Sequence, residues 1–132
     1  AIAEDKRVKQ DIENVTFKQS SLNTLALDCQ FDVVMAHSFL HLVEDRDEAI
    51  RKAYDWLKPG GVFVTSTACL GDSMSYFKYV AAIGHFLRLL PLVNIFREEE
   101  LKASFEKAGF NVEYHWKPNR RVAAVFFILR KP

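Results

Sequence analysis

A chain of 132 residues, 49% hydrophobic and 27% charged, lies well inside the range of one globular domain and can bury a core. Its 18 Lys and Arg against 17 Asp and Glu leave no global field to draw in nucleic acid or an anionic membrane, so the expected partner is small or neutral. Cys29 and Cys69 show no CxxC and no regular spacing, which argues against a disulfide framework and a zinc site and fits a reduced, cytoplasmic compartment. Residues 1–10 carry no apolar signal-peptide core.

Two periodicities alternate along the chain. Residues 15–18 read as a short strand, and residues 31–36 as a strand buried on both faces, being apolar except for Asp32. Residues 44–57 turn helical, with Ala49, Ile50, Ala53, Tyr54 and Leu57 on one side. Asp45 followed by Glu48 makes a capping-box-like start, and Pro59-Gly60-Gly61 closes the element. A second buried strand is expected over residues 62–68.

Residues 70–75 read as a polar loop, and residues 76–90 as an apolar helix. The longer run 76–96 has the length of a membrane span, but Lys78, His85, Arg88 and Pro91 interrupt it, so a buried or cap helix is expected and no integral span. Glu98, Glu99 and Glu100 crowd the first turn of the next helix, Leu101, Phe105 and Ala108 make its inner stripe, and Gly109 ends it. Residues 110–116 and 122–129 read as two strands around the turn 117–120. The sum is an α/β sheet with helices on both faces and an antiparallel strand at the end. Pattern alone does not separate this from a flavodoxin-like or other doubly wound domain.

Motifs narrow the choice. Phe31-Asp32-Val33-Val34, then His37-Ser38-Phe39-Leu40-His41-Leu42, then Leu57-Lys58-Pro59-Gly60-Gly61 resemble the second half of a class I S-adenosylmethionine-dependent methyltransferase, as do Glu100-Leu101 and Ala108-Gly109-Phe110. The resemblance runs from about Val15 to Pro132. It implies a Rossmann-like doubly wound sheet with a C-terminal antiparallel hairpin strand, in which residues 1–132 are a partial domain. The N-terminal strands and their glycine-rich cofactor loop would be missing, and residues 70–96 would be a cap or lid insertion. Residues 1–9 would be the tail of the helix after the missing second strand.

The same resemblance supplies candidate residues. Val15 to Leu25 has the frame of the family's adenine-binding strand end, with Ser21 where aspartate is usual and Leu22 as the apolar contact; the alternative is that Ser20 and Ser21 merely form a turn. Ligands in doubly wound sheets bind outside the carboxyl ends of strands, which places Ala36, His37 and Ser38 at the cofactor. His37 and His41 are the candidate catalytic bases, needed only if the methyl acceptor is a hydroxyl.

The implied function is methyl transfer from S-adenosylmethionine to a small, apolar acceptor, with this chain alone inactive. Exposed apolar surface and unpaired sheet edges would favour a homo-oligomer. The alternative class is a non-catalytic remnant of the fold acting as a binding or interaction module. A different nucleotide-binding protein is disfavoured, because no phosphate-cradling glycine loop is present.

Overall fold

A computed structural model describes residues 2–25, 27, 30–69, 96–118 and 124–132. Among these the elements run α1 (Ile2–Lys9), β1 (Phe31–His37), α2 (Arg46–Trp56), β2 (Leu57–Ala68), α3 (Glu98–Lys107), β3 (Asn111–Trp116) and β4 (Ala124–Arg130). The expected helix over 76–90, the turn at 119–120 and Cys29 fall outside the described residues.

The four strands make one sheet in the order β1-β2-β4-β3. β1 runs parallel to β2, with His37 opposite Ser66, while β4 is antiparallel to both β2 and β3. The expected closing hairpin is therefore present, and its last strand lies inside the sheet. Composition explains why. Val125, Phe127 and Leu129 of β4 are fully buried, whereas β3, with Asn111 and Glu113, tolerates an edge.

Successive strand residues point to opposite faces, and here the two faces differ sharply. Phe63, Thr65 and Thr67 of β2 and Val125, Phe127 and Leu129 of β4 point to one side, against Ala49, Ile50 and Ala53 of α2 and Leu101 and Phe105 of α3. Aromatic rings fill this layer: Phe105 meets Phe127 edge-on at 5.2 Å, and Phe110 lies 5.6 Å from Phe63 and 5.0 Å from Tyr54. Each buried phenylalanine contributes roughly 1.5–3 kcal/mol. Thr65 is buried without penalty because its hydroxyl donates to the Ala36 carbonyl at 2.9 Å.

The other face is open among the described residues. Val33 and Met35 are 51% and 63% exposed, so β1 is not buried on both faces as its composition suggests. β1 is an edge strand, and the helix cover expected on its second face is not found among the described residues. α1 cannot supply it, having no buried residue. Residues 15–18 form no strand either, for among the described residues no ladder partner is present to take up their backbone groups. Among the described residues no helix is long and apolar enough to cross a membrane.

Candidate active site

The site grows from the carboxyl end of β1. The strand stops at His37 because Ser38 adopts a left-handed backbone, φ 51°, which no ladder can continue. Ser38 N–H donates to the Ser66 carbonyl at 2.8 Å, holding the turn against β2. The loop is anchored by Leu40, which is 1% exposed, and ends where Asp45 accepts from Glu48 N–H at 2.8 Å to start α2.

Each candidate histidine is tied to a hydroxyl of β2. His37 Nδ1 lies 2.9 Å from Ser66 Oγ, and His41 Nδ1 lies 3.1 Å from Thr67 Oγ1. Ser66 and Thr67 are consecutive, so the two imidazoles are held on opposite faces of the same sheet edge. His37 is on the open face and exposed; His41 is half-buried on the helix side. Burial pushes the His41 imidazole below its ordinary pKa, favouring the neutral ring.

Across the free edge of β1 lies the turn of residues 21–25. Leu25 N–H donates to the Ser21 carbonyl at 2.9 Å, Ser21 Oγ and Thr24 Oγ1 are 2.9 Å apart, and Ser20 Oγ is 3.1 Å from Thr24 Oγ1. The two serines thus do form a turn. Lys52 of α2 holds it in place, donating to the Leu22 carbonyl at 3.0 Å while paired with Glu48.

Between this turn and β1 is a cavity of about 340 Å³, which collects Ser20, Ser21, Leu22, Ala36 and His37 on its walls. Ser38 and His41 do not line it. Ala49, Ala53 and Trp56 of α2 add an apolar wall, and among the described residues no Asp, Glu, Lys or Arg lines the cavity. Its size reaches the lower end of the range for small-molecule sites. Among the described residues no group of His, Cys, Asp and Glu could hold a metal ion.

Sequence reasoning passed over Ser66, Thr67 and Trp56. A signal existed for the first two: Thr65-Ser66-Thr67 puts three hydroxyls in a row at the carboxyl end of an otherwise apolar buried strand. Trp56, at the end of α2, carried no such mark.

A family model described as a methyltransferase domain matches residues 1–119. Among solved structures, the [4+2]-cyclase SpnF superposes with a TM-score of 0.74 at 19% identity, over 99% of this chain and 61% of its own length. The N-methyltransferase NodS from Bradyrhizobium japonicum, in complex with S-adenosyl-L-homocysteine, gives 0.67 at 13% identity over 99% and 61%. An S-adenosylmethionine-dependent methyltransferase from Mesorhizobium loti gives 0.71 at 17% identity over 99% and 77%. At such identities the structural likeness speaks for fold, and the chain spans only 61% of the length of the first two. With the family model covering nine-tenths of the sequence (119 of 132 residues), this chain belongs to the methyltransferase-domain family and has the Rossmann-like fold of the S-adenosylmethionine-dependent methyltransferases.

Proposed function

We propose that this chain supplies the rear of an S-adenosylmethionine-dependent methyltransferase site acting on a small, apolar acceptor. The observation that carries this reading is the cavity at the carboxyl end of β1, where Ser20, Ser21 and Leu22 face Ala36 and His37 within a methyltransferase-family domain. The lining fits part of the cofactor. Leu22, Ala36 and Trp56 suit a flat aromatic ring, and the Ser21 hydroxyl retains acceptor capacity for an exocyclic amine. Among the described residues that line the cavity none carries a charged side chain for the ribose hydroxyls or the amino-acid end of that molecule.

S-adenosylmethionine, when bound, supplies a methyl group already activated on a sulfonium. That methyl would pass to the acceptor's lone pair as the carbon–sulfur bond left its electron pair on sulfur, with Leu22, Ala36 and Trp56 the residues that would hold the cofactor's ring. Holding the two partners in line and dry provides most of the rate, and the apolar walls around Ala36 serve that end. If the acceptor is a hydroxyl, its proton passes to His37 Nε2, since Nδ1 already faces Ser66.

A second reading, a non-catalytic binding module on this fold, draws support from the lack of charge among the described residues that line the cavity. Titration of the 15N-labelled chain with S-adenosyl-L-homocysteine separates the two. The methyltransferase reading expects amide shifts confined to residues 20–22 and 36–38. Affinity should be only about millimolar, because each missing hydrogen bond to a charged group forfeits roughly 1.5–3 kcal/mol. No shift in either segment at saturating ligand would remove this reading.

A further inference from the structure

Ser66 holds two consecutive residues of the loop at once. Its carbonyl accepts the Ser38 amide at 2.8 Å, fixing the left-handed turn, and its hydroxyl lies 2.9 Å from His37 Nδ1. The register makes this contact a consequence of the fold: His37 and Ser66 are direct partners in the parallel ladder, so their side chains leave the sheet on the same face. Thr67 repeats the pairing with His41 Nδ1 at 3.1 Å on the other face. In both rings Nδ1 is turned to β2, which leaves Nε2 on the side away from it.

We propose that Ser66 is a positioning residue of the site, its hydroxyl accepting the Nδ1–H of His37 and so fixing the tautomer in which Nε2 carries the lone pair. The purpose of this arrangement rests on the methyl-transfer reading; the arrangement itself does not. Chemistry favours this direction of donation for a base. When Nε2 takes a proton from an acceptor, the ring becomes an imidazolium and Nδ1 keeps its hydrogen, so the bond to Ser66 persists and strengthens as the charge forms. With the roles reversed, the serine hydroxyl would have to release Nδ1 and rotate away at the same moment.

The test is long-range 15N–1H correlation of the histidine rings in the 132-residue chain, without cofactor, at a pH well above the ordinary imidazole value of about 6.5. The wild-type His37 ring is expected to show a protonated Nδ1 and an unprotonated Nε2. S66A keeps the Ser66 carbonyl and hence the Ser38 turn; it should return the ring to the Nε2–H form that solvated histidine favours. S66T should restore the wild-type pattern. A wild-type His37 already in the Nε2–H form, or the same tautomer in S66A, overturns the proposal. Failure of S-adenosyl-L-homocysteine to bind would remove the methyl-transfer reading and leave this result standing, so the two outcomes are distinguishable.

Discussion

Lys131 Nζ sits 4.4 Å from the centre of the Tyr54 ring while donating to the carbonyls of Tyr54 at 2.8 Å and Leu57 at 2.7 Å. The last carbonyls of a helix have no partner within it, and α2 has no basic residue in its last turn. A lysine next to the chain's final residue does that work. Lys131 is itself fixed, its backbone exchanging bonds with Gly60 and Gly61 at 2.9 Å each. Lys131→Met should therefore cost about 1–2 kcal/mol, given hydrogen bonds to a partly buried charge plus the ring contact. Urea unfolding measures it, with Lys131→Arg retaining part of the loss. An unchanged midpoint would remove the capping role.

The two glycines of Lys58-Pro59-Gly60-Gly61 serve different needs. Gly60 has φ 78° with open space around its missing side chain, so Ala there should cost about 1–2 kcal/mol of backbone strain and Asn much less. Gly61 has an ordinary backbone, but a Cβ would come within 2.9 Å of the Lys58 carbonyl and 3.2 Å of the Asp32 carbonyl. The Asp32 carbonyl belongs to β1 and cannot retreat without parting that strand from β2, and the Lys58 carbonyl is backbone of β2 itself. Gly61→Ala should thus be the more damaging of the pair, about 2–3 kcal/mol. Thermal unfolding in which Gly60→Ala is the worse variant would contradict this division.

Much of this architecture was legible because the core residues announce themselves. The α2 stripe of Ala49, Ile50 and Ala53, the Asp45 cap and the Gly109 stop at φ 98° all stand where periodicity and capping chemistry put them. What failed depends on neighbours. Residues 15–18 have strand composition but no ladder partner among the described residues, and Val33 and Met35 are exposed because nothing described lies over them. Local sequence carries no record of either fact. The cavity was half legible: the motif brought Ser20, Ser21, Leu22, Ala36 and His37 to one place, while Ser38 and His41 are at the same sheet edge but off its walls. Which face a loop histidine takes is decided by the strand beside it, here by consecutive hydroxyls of β2.

The two helix starts offer a controlled comparison. Asp45 caps α2 through its own carboxylate, whereas Arg97 at the head of α3 has no side-chain capping bond, although the Glu100 carboxylate accepts Arg97 N–H at 3.0 Å. Half of a capping box is in place at α3. Asp45→Ala should cost about 1 kcal/mol, and Arg97→Ser should stabilise by about 0.5–1 kcal/mol by completing the box. Chemical denaturation of both variants tests this. A neutral or destabilising Arg97→Ser would show that the arginine contributes something the cap does not describe.

Acid sensitivity should begin well above the carboxylate range. The His41 imidazole is pushed below its ordinary value by burial, so the unfolded chain binds a proton at a pH where the folded one does not. Stability from this group is complete above the unfolded value of about 6.5 and is lost as pH falls toward the depressed folded value. The carboxylates follow lower down. Asp47 is held below the usual range by the Ser104 hydroxyl and the charges of Arg46 and Lys107, and Glu113 by its bond to Arg130. Their contribution is present above about pH 4 and disappears only below it. Between roughly pH 7 and 5 His41 should therefore contribute to the slope. His41→Asn, which removes the titrating ring and keeps a polar group beside Thr67, should flatten the unfolding free energy across that interval while leaving the steeper fall below pH 4 intact. Urea titrations at several pH values measure both limbs. An equally steep loss between pH 7 and 5 in the variant would place the proton uptake on another group.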